Sequence, residues 1–463
     1  MGNTRIRLTD SYKVTHWKQY PPGTNKVFSF FESRGGQFLS VTFFGLQYFL
    51  KRYLQGVVIT EEDIVESIER FALHFGNPNL FNKNAWRRLL HVHGGRLPVV
   101  IRAVPEGTNV PVHNVLMTIE NTDPEFPWLT NYLETLLSQV WYPSTVATQS
   151  RAMRALILGY LEETGDPLGV DFKLHDFGFR GSTSVESAGL GGAAHLISFK
   201  GTDTFAGVDL AHDYYREVMA GFSIPAAEHS TITSWGRDRE VDAYRNMLDA
   251  FPSGLVAVVS DSYDIFNACR EIWGKKLKDR VLKRDGVLVV RPDSGDPPTV
   301  VVKVINLLGR AFGFSVNAKG YKVLDPHVRV IQGDGIDYAM LWQVLGAMKT
   351  SGWSADNIAF GSGGGLLQKV NRDTQKFAFK CSAVQVDGVW RDVMKDPVTD
   401  HGKRSKAGRL VLVKRDGVFV TMREEGASIL GLTNELVPVF RDGELLVDYS
   451  FASVRAHASA TYQ

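Results

Sequence analysis

Two cysteines, Cys269 and Cys381, are all the chain has among its 463 residues. One distant pair cannot make a disulfide framework, and neither cysteine has zinc-ligand spacing, so both are expected to be core thiols in a reducing compartment. Long apolar runs are also missing. The richest stretch, TVVVKVINLLGRAFGF, is broken by Lys303, Asn306 and Arg310, and falls short of the roughly 18 apolar residues that a membrane helix needs. Nor is there an excess of charge of one sign. With 52 basic and 50 acidic residues mixed along the sequence, the net charge is +2, which excludes a general attraction to nucleic acid or anionic lipid. Any anion must be bound locally. The opening residues, MGNTRIRLTDSYKVTHW, carry no apolar signal stretch, and Ile6 stands where a myristoylation signal needs Ser or Thr. The expected location is the cytoplasm. No internal repeat or low-complexity segment occurs.

What is present is ordered and changes texture twice. The first ~165 residues mix element types. Thr60, three residues before Asp63, gives a capping-box start to the helical pattern Ile64, Ile68, Phe71 and Phe75. Helical signal also covers LETLLSQVW and, after Pro143, TQSRAMRALILGYLEETG. From about residue 170 to 370 short apolar runs alternate with helical stretches: FKLHDFGF, TDTFAG, LVAVVSD, GVLVVRP, VRVIQGD and NIAFGSG. Such alternation predicts parallel strands joined by crossover helices. Beyond 375, VDG at 386–388 and RDG at 415–417 and 441–443 predict tight hairpins, since Asp-Gly supplies the positive φ angles such turns need. The expected fold is α/β: a (β/α) barrel-like domain over 166–372, and a discontinuous α+β domain with antiparallel hairpins from 1–165 and 373–463. An open doubly wound sheet is the alternative for the middle segment.

Polar residues gather where the apolar runs stop: HDFGFR, GTDT, EHST, SDSYD, RPDSG, QGDG and GSGGG. In a (β/α) barrel the C-terminal strand ends meet at one mouth, so clusters spread along the chain can become one site. GSGGG, entering LLQKVNRD, offers bare backbone N–H groups as a phosphate cradle; the plainer alternative is a turning loop. Asp334 in QGDG suits ribose hydroxyls or a bound Mg²⁺. Arg291 and Asp293, two apart in extended chain, share one side and can hold an anion or carbonyl and a hydroxyl, or form only a surface ion pair. Phe177 is a stacking surface or simple core filling. In PAAEHSTIT the adjacent Glu228 and His229 raise the question of what an imidazole does at a strand end.

DSYKVTHWKQYPP, HDFGFRG, FKGTDTFAG, PAAEHSTIT, VVSDSYDI, VRPDSG, IQGDG, NIAFGSGGGLLQK and KDPVTDHGKRSK closely resemble, in order, the nicotinamide phosphoribosyltransferases of the type II phosphoribosyltransferase family. The resemblance runs from near residue 8 to about 440, with a shorter passage after Arg34 than in vertebrate-like forms. It implies a homodimeric enzyme joining nicotinamide to phosphoribosyl pyrophosphate with Mg²⁺, giving nicotinamide mononucleotide and pyrophosphate. It implies that Phe177 and the partner subunit's Tyr12 stack on the pyridine ring while Asp203 and Arg291 engage the carboxamide. Asp293 and Asp334 are then ribose ligands, and Gly333, Gly363 and Gly364 the 5′-phosphate cradle. Arg180, with Arg34, Arg372, Lys380, Lys395 and Lys403 from the partner, forms a basic ring around phosphate and pyrophosphate, and Ser260 and Asp10 join the ribose and phosphate contacts. In this family the histidine matching His229 is phosphorylated by ATP, which couples hydrolysis to synthesis, with Glu228 beside it; Asp264 is expected to orient the imidazole. The transfer needs no enzymatic nucleophile, because the pyridine nitrogen has its own lone pair, and positioning and electrostatics suffice. A nicotinate phosphoribosyltransferase is the nearest alternative. Asp203 argues against it, since an acceptor takes a carboxamide N–H but repels a carboxylate.

Overall fold

The computed structural model describes residues 4–399 and 405–460, which form two compact units. One comprises 1–148, 214–216 and 371–463, and the other 149–213 and 217–370; the change of sequence texture falls near 165 and 372. The first unit opens with strands β1 (Thr24–Ser33), β2 (Val99–Ala103) and β3 (Val115–Asn121). Helix Glu61–Phe75 starts in a full capping box, with Thr60 and Asp63 each bonding the other's backbone, and it buries Ile64 and Phe71. A second helix, Trp141–Thr164, runs through Pro143 rather than starting after it. The proline lies in the first turn, where its missing N–H has no helical acceptor to lose.

The second unit is built on parallel strands: β4 (Leu174–Asp176), β5 (Gly201–Thr202), β6 (Ser253–Val259), β7 (Asp285–Arg291), β8 (Val328–Gln332) and β9 (Ile358–Ser362). They pair in the order β5-β4-β9-β8-β7-β6. The two edges are then joined through residues 222–227. Phe222 bridges Gly201 of β5 and Ala226 bridges Ala257 of β6, both in parallel sense, so the sheet closes into a barrel rather than ending as an open sheet. Strand parity explains the sequence pattern. Ala257, Val287, Val289, Ile331 and Ala359 pack together with Ile224 and Phe177 on the inner side, while Val256, Val258, Leu288, Val290, Val328 and Val330 alternate with them and are fully buried. Both faces are covered, hence the nearly continuous apolar runs. One run differs from expectation. TDTFAG is strand only at its start, and Phe205 already belongs to helix Phe205–Tyr215. The crossover helix Pro297–Phe312 begins where Asp296 accepts a hydrogen bond from the Thr299 N–H and Pro297 takes the first helical position.

Towards the C-terminus follow strands β10 (Phe377–Val386), β11 (Val389–Asp392), β12 (Leu410–Arg415), β13 (Val418–Arg423), β14 (Val437–Arg441) and β15 (Glu444–Leu445). Each Asp-Gly turns a hairpin with both φ values positive: 51° and 79° at Asp387-Gly388, 52° and 79° at Asp416-Gly417, and 51° and 85° at Asp442-Gly443. These are the angles of type I′ turns, which match strand twist. The antiparallel sheet of the first unit runs β11-β10-β1-β3-β2-β14-β15, drawing on both ends of the chain. Cys269 is fully buried and Cys381 half-buried, and both are free thiols. Among the described residues no helix is long and apolar enough to cross a membrane.

Candidate active site

The C-terminal ends of the barrel strands surround an open cavity of about 810 Å³. Phe177 and Arg180 follow β4, Asp203 follows β5, Glu228 and His229 follow the closing segment, Arg291 and Asp293 follow β7, Gly333 and Asp334 follow β8, and Gly363 and Gly364 follow β9. The Phe177 N–H donates to the Ser362 carbonyl at 2.9 Å, and its ring lies on the apolar interior of the barrel. A Cβ on Gly361 would lie 1.9 Å from that ring. Glycine at 361 is therefore what lets the aromatic wall occupy the mouth.

Asp203 accepts hydrogen bonds at one oxygen, Oδ1, from His175 Nε2 at 3.3 Å and from the Ser223 hydroxyl. Burial pushes its carboxyl up, but the His175 and Ser223 hydrogen bonds outweigh it and hold the group below the ordinary carboxylate range. It is a permanently ionised acceptor at neutral pH. Arg291 lies nearby and its buried Nε has no hydrogen-bond partner. Its Nη2 is 3.8 Å from Asp293 Oδ2. Asp293 is pushed up by burial, with Asp261 and Asp334 adding repulsion against the attraction of Arg291 and His229. A carboxylate so placed gains from any positive charge entering the cavity.

His229 opens helix His229–Thr233, with Glu228 as the extended residue before it. Its Nε2 is 2.9 Å from Asp261 Oδ1, and its Nδ1 is 3.9 Å from Asp293 Oδ2. The Asp261 side chain is buried, and its other oxygen accepts from the Asp293 N–H at 3.1 Å and the Ser294 hydroxyl at 2.5 Å. This corrects the expectation for Asp264. That carboxylate caps the next helix, accepting from the N–H groups of Phe266 and Asn267. Glu228 turns to the Ser230 hydroxyl. Ser260 is also corrected. Its hydroxyl donates to the Val258 carbonyl, accepts from the Trp273 indole and is fully buried, so it does not face the cavity.

The other expected residues belong to the first unit. Asp10 accepts from the Thr135 hydroxyl at 2.8 Å, and Tyr12 is 59% exposed. Arg34, Arg372, Lys380 and Lys395, joined by Lys376, line a separate basin of about 590 Å³. Burial there lowers the Lys380 ammonium below its ordinary range; Glu134, which also lines the basin, works against this, and Arg34, Arg372 and Lys395 add like-charge repulsion. Lys403 lies outside the described residues. Sequence reasoning missed Asp261, His175, Ser223 and Gly361.

A closed barrel with its polar residues at the strand ends and a hairpin-rich α+β unit are the two parts of the type II phosphoribosyltransferase fold. Solved structures share that fold: the nicotinate-nucleotide pyrophosphorylase of Pyrococcus furiosus (TM-score 0.60, 16% identity, covering 100% of this chain and 96% of that one) and the human nicotinic acid phosphoribosyltransferase (TM-score 0.57, 17% identity, 98% and 93%). The chain belongs to the nicotinate phosphoribosyltransferase (NAPRTase) family, whose model matches residues 172–430, and within it to the nicotinamide phosphoribosyltransferases, whose N-terminal domain matches residues 5–101. It is 54% identical to the nicotinamide phosphoribosyltransferase of Xanthomonas campestris pv. campestris over 98% of this chain and 97% of that one. Identity to the protein of the same description from Acinetobacter baylyi is 33%, over 97% and 96%.

Proposed function

We propose that the chain transfers the phosphoribosyl group of phosphoribosyl pyrophosphate to nicotinamide in NAD salvage, giving nicotinamide mononucleotide and pyrophosphate, and that ATP phosphorylates His229 to drive that transfer. The observation that carries this reading is the barrel mouth itself, where an aromatic wall, an ionised acceptor and a guanidinium with a buried, unpartnered Nε–H line one cavity. Phe177 stacks on the pyridine ring, Asp203 accepts the carboxamide N–H, and Arg291 donates to the carboxamide oxygen. The ring nitrogen attacks C1′ with its own lone pair, and the C1′–O bond breaks with its electrons leaving on pyrophosphate. Asp293 and Asp334 hold the ribose hydroxyls and face the positive charge that develops on the sugar. Arg180 with the backbone of Gly333, Gly363 and Gly364 receives the 5′-phosphate.

Magnesium fits this donor set as a substrate-borne ion. Asp293 and Asp334 supply hard oxygen donors, and no cluster of three or more metal-ligating side chains occurs among the described residues, so substrate phosphates would be its main ligands. When bound it neutralises charge on the departing pyrophosphate. At His229 the nitrogen facing Asp261 is already engaged, which leaves Nδ1 as the nucleophile. Its lone pair takes the γ-phosphoryl group, the bond to the bridging oxygen breaks, and the electron pair leaves on ADP. The Nε2 proton stays on the ring, where Asp261 balances the new positive charge. Tyr12, Arg34, Arg372, Lys380 and Lys395 serve the site of a second copy of the chain, so that the enzyme is a homodimer with shared sites.

Base choice tests the reading. Mononucleotide forms from nicotinamide and phosphoribosyl pyrophosphate, and nicotinate is a poor substrate. Asp203→Asn shifts relative kcat/KM toward nicotinate by the equivalent of roughly 1–3 kcal/mol, the order of one polar contact left unpaired when the base covers it. Preferential turnover of nicotinate by the unaltered enzyme would replace this reading with a nicotinate phosphoribosyltransferase.

A further inference from the structure

Asp203 is held at one oxygen. His175 Nε2 and the Ser223 hydroxyl both engage its Oδ1, while neither His175 nor Ser223 lines the cavity that Asp203 does. Among the described contacts, Oδ2 has no hydrogen-bond partner. Two donors from different parts of the barrel, one on β4 and one in the closing segment, fix the rotation of the carboxylate about its last bond. A carboxylate held by one donor or none turns freely and presents its oxygens in many directions. The backbone makes room for the arrangement. His175 pairs with Gly201 on one neighbouring strand and with Gly361 on the other. A Cβ on Gly201 would lie 2.6 Å from His175 Nδ1 and 3.2 Å from its Cγ, so any larger residue there pushes the imidazole out of place.

We propose that His175 is a positioning residue for base recognition: with Ser223 it pins one oxygen of Asp203 so that the other is presented to the carboxamide N–H of the substrate. This rests on the assignment of Asp203 to the base. His175 touches neither substrate nor the reacting atoms; its effect passes through the angle of one carboxylate. Loss of that angle weakens nicotinamide in ground and transition state alike, so KM rises while kcat changes little.

Steady-state kinetics of three variants in the whole enzyme test the inference. His175→Ala raises KM for nicotinamide about tenfold, the loss expected from about 1.4 kcal/mol of positioning, with kcat and the KM for phosphoribosyl pyrophosphate within twofold of wild type. His175→Gln, whose amide N–H reaches the place of Nε2, restores KM to within about twofold. Gly201→Ala, with His175 intact, raises nicotinamide KM in the same direction as His175→Ala. An unchanged nicotinamide KM in His175→Ala overturns the inference, as does an equal rise in both substrates' KM values or failure of His175→Gln to rescue. Absence of nicotinamide turnover in the wild-type enzyme would instead overturn the functional reading beneath it.

Discussion

The His229 imidazole and the Asp261 carboxylate are 2.9 Å apart, Nε2 to Oδ1. Asp261 is buried while His229 is about half exposed, so the ring is anchored on its inner edge and open on its outer one. The anchor also selects the tautomer. With the proton on Nε2 facing a carboxylate, Nδ1 keeps its lone pair.

Asp261→Asn therefore costs the ATP-stimulated rate at least about 10- to 100-fold, the size of losing the carboxylate that orients a metal-ligating imidazole, while the ATP-independent rate stays near wild type. Asp264→Ala behaves differently: it loses a helix cap worth about 1 kcal/mol, lowering the melting temperature and leaving ATP stimulation intact. Rates with and without ATP, with a thermal melt of each variant, separate the two. Loss of ATP stimulation in Asp264→Ala with retention in Asp261→Asn would reverse the assignment.

The two aspartates also mark how far the sequence could be read. Both stand in SDSYD, within five residues of the end of β6. Strand parity separates them. Ala257 faces the interior, so 261 does too, while Ser260 shares the outward side of Val256 and Val258. Asp264 immediately precedes IFNACREIW, the position of a helix cap. Those signals were present but need the exact strand end to be used. His175 shares the inward parity of Phe177 and was equally legible. Ser223 was not, because FSIPA has no strand pattern and pairs by single bridges only. Gly361 could not be recognised either, since the ring it makes room for follows a strand far away in sequence. The barrel and the hairpins were legible because parallel strands buried on both faces and Asp-Gly turns leave local marks.

Gly361→Ala places a methyl group where the Phe177 ring lies. The ring must move, at a stability cost of about 1–3 kcal/mol for an overpacked position. Loss of aromatic stacking worth about 0.5–1.5 kcal/mol raises nicotinamide KM up to roughly tenfold, with little change for phosphoribosyl pyrophosphate. An unaltered nicotinamide KM, measured on folded protein, would show that Phe177 does not stack on the base.

Stability should fall with rising pH through Glu106. This fully buried carboxyl accepts from the N–H groups of Gln47 and Gly45 and from the Tyr215 hydroxyl, yet burial dominates and raises it from 4.5 to about 7. Between those values the folded chain keeps a proton that the unfolded chain has released. The contribution is full below about pH 4.5 and lost as pH rises through about 7, amounting to about 3 kcal/mol at ~1.4 kcal/mol per unit. Melting curves from pH 5 to 8 check it: wild type loses stability relative to Glu106→Gln across that range, and parallel curves would contradict it.

The proposed sharing of sites between two copies of the chain predicts complementation. Tyr12→Ala lacks a stacking wall and Asp293→Ala a ribose ligand, so each homodimer is nearly inactive. In a mixed dimer one site carries both lesions and the other neither. Re-pairing equal amounts gives about half mixed dimers and restores roughly a quarter of wild-type sites, by the symmetry of a two-fold assembly. Mixed dimers verified by mass tags but no more active than the parents would rule out the shared site.

The coupling of ATP to transfer through His229 is tested most directly by the initial rate of nicotinamide mononucleotide synthesis, with and without ATP, in wild type and His229→Ala. ATP accelerates the wild-type enzyme, whereas His229→Ala hydrolyses no ATP and makes product slowly at the same rate in its presence and absence. Undiminished stimulation by ATP in His229→Ala would contradict the account.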